Sequence, residues 1–153
     1  MTMEVERLQD LSVYYFIVNL FSATPSITIV DGYPVGDLVL PSIAVESDDI
    51  RPISYEMGNR YFRDQRFWSV DVFGMNKTQR DSMAYRIKNS VPSGIPVYDY
   101  NQGFPPAITP TVIGGLTIVP NTMVLTPVRI FPEIVEKLYW RSRVRFITEY
   151  DSF

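Results

Sequence analysis

Residues 60–73 read RYFRDQRFWSVDVF. The alternation sets Trp68, Val70 and Val72 on one face and Phe67, Ser69, Asp71 and Phe73 on the other, the two-residue period of a β-strand. Gly74 ends the strand. Asn76, with Gln79 three residues on, then supplies the capping-box pattern of a helix start. In the segment KTQRDSMAYRIKNSV, Met83, Ala84, Ile87 and Val91 form the buried side, leaving Arg80, Arg86 and Lys88 largely outside. The turn Pro92-Ser93-Gly94 closes this helix, and Ile95–Tyr100 reads as a strand whose Pro96 points to an edge or to the first paired residue. Residues 66–100 are therefore a strand–helix–strand unit.

Towards the N-terminus, residues 3–22 read as a helix. Val5, Leu8, Leu11, Tyr15, Val18 and Phe21 follow a three-to-four spacing, and Tyr14, Phe16, Ile17 and Leu20 widen that stripe almost to the full circumference. Pro25 stops it. Residues 26–30 and 37–40 read as short strands around the turn Asp31-Gly32-Tyr33-Pro34. Pro41, the acidic patch at 46–49 and Pro52 mark breaks, so residues 32–59 read as an extended arm. An arm that exposes Ile43, Val45 and Ile50 requires a partner surface.

Towards the C-terminus, residues 101–137 are a proline-rich loop and hairpin region. Residues 115–119 and 122–125 are expected to pair across Pro120-Asn121, and residues 131–138 to form a short helical turn with Pro132 at its first position. Trp140–Tyr150 is the final strand. Trp140, Ser142, Val144, Phe146, Thr148 and Tyr150 share one face; Arg141, Arg143, Arg145, Ile147 and Glu149 share the other. The expected fold is a single α+β domain over 1–153. Its mixed or antiparallel sheet has about four to six strands, with an N-terminal helix, a second helix packed on one face, and extended arm and hairpin loops.

The composition removes much chemistry. The chain has 153 residues, 46% of them apolar, with no cysteine and no histidine. That excludes disulfides, thiolate ligands, cysteine nucleophiles and every Ser-His arrangement. Gly114-Gly115 lacks the pattern of a nucleotide loop, and no G-x-S-x-G or S-x-x-K pattern occurs. The run Leu11–Phe21 is too short to span a bilayer, and an acidic stretch precedes it where a signal peptide needs bases, so it reads as a buried helix of a cytosolic product. The sequon Asn76-Lys77-Thr78 is read as noise. No catalytic residue, cofactor or metal is expected.

Charge is uneven. Residues 1–59 carry nine acids and two bases, and residues 60–153 carry eight acids and twelve bases. Such halves pair within one chain, pair between copies in a head-to-tail ring, or simply face solvent. The comb Arg141, Arg143, Arg145 places three guanidinium groups on one strand face about 7 Å apart. Its candidate partners are phosphates, carboxylates of a neighbouring subunit, or acids of the same chain. Arg60, Arg63 and Arg66 form a weaker cluster whose default is solvation. Glu46, Asp48 and Asp49 lack the EF-hand pattern and read as a solvated acidic turn, or as the acidic side of a subunit contact. Tyr98, Tyr100 and Phe104 are candidates for base stacking, with packing or interface the commoner use.

Several stretches together resemble tail terminator, or tail-completion, proteins of long-tailed bacteriophages: Ser54–Arg60 (SYEMGNR), Phe67–Gly74 (FWSVDVFG), Gln79–Ala84 (QRDSMA), and Ile95–Asn101 (IPVYDYN) followed by Gly103-Phe104-Pro105-Pro106. They lie between Ser54 and Pro106, about a third of the chain, and are structural motifs. The resemblance implies a non-enzymatic virion protein, made in the host cytoplasm, that forms a homo-hexameric ring at the head-proximal end of the tail tube. There it ends tail polymerisation and docks to the head. Its implied partners are copies of itself, the tail tube protein and a head-completion or connector protein. DNA passes through the ring without sequence-specific binding, and no membrane is involved. Residues 32–59 and 107–137 are longer than a minimal version of such a protein needs. The alternatives are another neck or tail protein (connector, stopper or tube subunit) or a small α+β binding module. The expected interface residues are Arg141, Arg143, Arg145, Glu46, Asp48, Asp49, Ile43 and Val45.

Overall fold

In the computed structural model the described residues are 2–32, 39–53, 63–128 and 140–153. In chain order the elements are α1 (Val5–Leu20), β1 (Thr28–Asp31), β2 (Ser42–Ile53), β3 (Arg63–Phe73), α2 (Lys77–Ser90), β4 (Ile95–Tyr98), β5 (Val112–Ile118), β6 (Val124–Val128) and β7 (Arg141–Ser152). The strands form one curled mixed sheet in the order β1-β2-β3-β7-β5-β4, with β6 also paired to β7. Among the described residues only the β1–β2 pairing is parallel. This is an α+β fold with an N-terminal helix, as the alternation and capping signals indicate.

β3 is the centre of the sheet because both of its faces are used. Trp68, Val70 and Val72 lie buried beside Val45 and Ile43 of β2 and Val144 and Phe146 of β7. Met83, Ala84 and Ile87 of α2, and Leu8, Leu11, Val13 and Ile17 of α1, complete this cluster. Both helices thus cover the same face. α1 presents Ile17 and Val13 to the core while Val5 is exposed, so its buried stripe is rotated from the expected one. The outer face is not bare: Asp71 and Phe73 are buried as well.

α1 lies between the two edges of the curled sheet, touching β1 on one side and β4 on the other. The Ser12 hydroxyl accepts the Tyr98 N–H of the edge strand at 3.1 Å and donates to the Leu8 carbonyl at 2.7 Å. Arg7 binds Asp31 of β1 at 3.1 Å. A helix that supplies such partners satisfies sheet-edge groups that would otherwise need water or another chain. Pro96 sits in β4, at the edge where the sequence places it.

α2 begins at its predicted cap, with Asn76 accepting the Gln79 N–H at 2.9 Å. The Gln79 side chain accepts from the Met75 N–H, one residue before the cap, where a capping box would reach the cap itself. Arg80 is buried, against the expectation of a solvated side chain. It pairs with Asp81 at 2.9 Å and lies over the Trp140 ring.

Three expected loops are strands, or pair differently. The supposed arm contains β2, twelve residues long, and Ile43 and Val45 are fully packed in the core. Pro52 is tolerated because β1 pairs only with Ser42–Val45, leaving the rest of β2 at an edge. β1 itself pairs in parallel with that start of β2, so the hairpin expected with 37–40 does not form at Val39 and Leu40; residues 37 and 38 lie outside the described residues. The third is the hairpin across Pro120-Asn121. β5 and β6 instead run end to end along β7: Ile118 faces Thr148 and Val124 faces Arg145. Three extra residues loop out between those pairs, with Asn121 in the left-handed region (φ 64°). Thr122 repairs the ladder there, its hydroxyl accepting the Ile147 N–H and donating to the Val119 carbonyl. The helical turn expected over 131–138 and the motif Ser54–Arg60 lie outside the described residues.

Candidate subunit interface

The arginine comb does stand on one face of β7, but its members have different partners. Register brings Asp71 of β3 opposite Arg143. The guanidinium group of Arg143 holds both carboxylate oxygens, at 2.8 and 3.3 Å, and Arg141 reaches one of them at 3.3 Å. Asp71 is 1% exposed, so this is a buried carboxylate clamped by two cations, and Arg141 also lies over the Phe73 ring. Two of the three expected interface arginines therefore hold an acid of their own chain. Such a clamp is sensitive to loss of either partner, because the remaining charge is left buried.

Arg145 differs. It is exposed and has no ion-pair partner among the described residues. It borders an open groove of 690 Å³ with Asp48 and Asp49 on the rim and Phe67, Val124 and Ile147 among the lining residues. The groove exists because β2 carries a bulge: Ser47 faces Trp68 and Ile50 faces Arg66, so Asp48 and Asp49 share one position opposite Phe67. The acids expected in a solvated turn are thus displayed by a distorted strand. Asp48 accepts a hydrogen bond from the Ser69 hydroxyl, and Asp49 pairs with Arg51 at 3.2 Å in an exposed contact. Glu46 lies opposite Ser69, with one carboxylate oxygen buried and without a hydrogen-bond partner among the described residues.

Of the expected interface set, Arg145, Asp48 and Asp49 come together at the surface, whereas Glu46 lines a separate pocket with Arg7, Asp10 and Asp31. Ile43 and Val45 do not, because they alternate with Ala44 and Glu46 onto the inner face beneath the helices.

One polar centre lies where solvation was expected. Arg66 is 3% exposed. It donates to the Glu6 carbonyl at 2.8 Å, Gln9 at 3.1 Å, Asp10 at 2.6 Å and Ser47 at 2.7 Å, and its guanidinium lies 4.5 Å from the Trp68 ring centroid. This ties α1 to β2 and β3. The signal was present in the sequence: Arg66 has the same strand parity as Trp68, Val70 and Val72.

The tyrosines pack. Tyr100 is buried and stacks on Tyr15 at 5.2 Å and on Phe104 at 5.7 Å, the latter two lying 6.5 Å apart in a three-ring cluster. Burial, with the neighbouring Tyr15 and Tyr98, pushes its hydroxyl pKa up to about 12, against a small opposing effect of a hydrogen bond with Ser12. Burial is also the first cause of the raised values of Tyr14 and Tyr150. Phe104 keeps an exposed edge.

Among the described residues no three His, Cys, Asp or Glu side chains are grouped to hold a metal, and no helix is long and apolar enough to cross a membrane. The fold and surface define an α+β domain with a charged, partly apolar outer sheet face. No protein-family model matches the chain, and no curated protein matches it.

Proposed function

We propose that this chain is a structural virion protein that forms a ring at the head-proximal end of a phage tail tube, ending tail polymerisation and docking to the head connector. The observation that carries the reading is the outer groove. An exposed arginine with no ion-pair partner among the described residues stands there beside two exposed carboxylates over Phe67, Val124 and Ile147. Mixed charge over apolar side chains is the chemistry of a protein–protein contact rim. The resemblance of Phe67–Gly74, Gln79–Ala84 and Ile95–Pro106 to tail terminators supplies the class of assembly. These segments follow one another along the chain, from the end of β3 through the start of α2 to β4 and the turn that follows it.

In this reading the partners are other copies of the chain, the tail tube protein and the head-completion or connector protein, and DNA passes through the ring without base readout. Light scattering over a concentration series tests it. A closed species of roughly six times 17.6 kDa that binds the ends of tail tubes is the expected result. A twelve-membered ring would instead indicate a connector, and open-ended polymers a tube subunit. A monomer that ignores tube ends would overturn the proposal.

A further inference from the structure

A second groove, of 670 Å³, lies where the end of α1 meets the start of α2. Its apolar lining includes Phe21, Ile27 and Met83, its cations are Lys77 and Arg86, and among the described residues no carboxylate lines it. Neither cation has an ion pair among the described residues; Arg86 lies over the Phe21 ring at 5.5 Å. The first turn of α2 contains no acid, so its helix dipole adds to the positive potential.

The β2 bulge is the complement. It projects Asp48 and Asp49, both exposed. The two features cannot meet within one chain. The bulge faces Phe67, six residues and about 20 Å along β3 from the strand end where α2 begins. That exceeds the screening length of about 8 Å at physiological salt. They also belong to opposite sides of the sheet: the acids border the outer groove with Phe67 and Arg145, whereas α2 packs on the Trp68 side.

We infer that the Asp48-Asp49 bulge of one copy seats in the Lys77/Arg86 groove of the next. The inference rests on the ring reading above and names its contact. Two acids meet two cations, and the Asp49–Arg51 contact, being solvent-exposed, is exchanged at little cost. Unlike patches on opposite sides of each copy make a heterologous, head-to-tail contact, which closes into a ring when its rotation permits.

The experiment is a charge swap on the full chain, with circular dichroism confirming each fold. One variant is Asp48→Lys with Asp49→Lys; the other is Lys77→Glu with Arg86→Glu. Each alone juxtaposes like charges and is expected to lose self-association on the order of 100-fold. An equimolar mixture restores opposite charges at every contact of an alternating ring and is expected to reassemble. Asp48→Asn with Asp49→Asn, and Lys77→Gln with Arg86→Gln, replace any reversal variant that loses its fold; each is expected to weaken assembly and flatten its salt dependence. Assembly of the unaltered chain alongside undiminished assembly of single variants overturns this contact and leaves the ring reading standing. So does a reversal mixture that fails to reassemble. Failure of the unaltered chain to associate, alone or on tube ends, overturns both.

Discussion

Replacing Arg66 with methionine tests whether α1 is held to the sheet by one buried cation. The substitution keeps much of the apolar volume beside Trp68 but removes four hydrogen bonds and leaves the Asp10 carboxylate with the long Arg7 contact at 3.9 Å as its ion pair among the described residues. Breaking a buried charge pair from one side costs about 3–5 kcal/mol. The Asp10 side chain is 24% exposed, so water takes over part of its solvation, and the lower end, about 3 kcal/mol, applies. For a chain of this size that corresponds to a fall in Tm of roughly 6–12 °C. Urea unfolding followed by tryptophan fluorescence reads the change directly, since Trp68 lies under the guanidinium group. Adding Asp10→Leu to Arg66→Met removes the stranded carboxylate and is expected to recover at least about half of the loss. A single-variant loss below about 1 kcal/mol, the value of a surface ion pair, would refute the reasoning.

Further tests separate structural from interfacial charge. Arg143→Glu sets a second carboxylate against buried Asp71 and is expected to cost about 3 kcal/mol or more in urea unfolding. Arg145→Glu is expected to change stability by less than about 0.5 kcal/mol while weakening self-association in sedimentation. Gly74→Ala places a Cβ 2.8 Å from the Arg80 backbone nitrogen, and backbone cannot yield as a side chain does. The expected loss is about 1–3 kcal/mol in thermal unfolding. Tyr100 provides an alkaline signature. Its folded-state pKa of about 12 exceeds the ordinary value of 10, so the unfolded chain releases this proton first. The stabilising contribution is complete below pH 10 and is lost as pH rises towards about 12. Tyr100→Phe should flatten that decline when stability is measured across the same window, and remove the last step in the absorbance titration of the tyrosines.

The parts of the fold that local pattern encodes were legible in the sequence. Alternation identified β3 and β7 with the faces of their residues, and Asn76 marked the start of α2. Pairing was not legible. The Arg143–Asp71 contact joins residues 72 positions apart, and alternation assigns a face without assigning a register. β2 was missed because its outer half carries Asp48, Asp49 and Pro52, residues that weaken a strand signal; an edge position and a bulge accommodate them. β5 and β6 looked like a hairpin because a Pro-Asn pair between apolar runs usually turns the chain. Here the long edge of β7 accepts both runs in line, and the intervening residues loop out. At the surface, grouping by charge found Asp48, Asp49 and Arg145. It also promoted Ile43 and Val45, which strand parity sends to the core. Reading Arg66 in phase with Trp68 would have placed it beneath α1.

The central claim is assembly, and the mass of the protein in solution tests it most directly. Light scattering over a concentration series, repeated with tail tubes present, should show a closed ring of about six copies, free or seated on tube ends. A species that remains at 17.6 kDa at every concentration and leaves tube ends unoccupied would contradict the account.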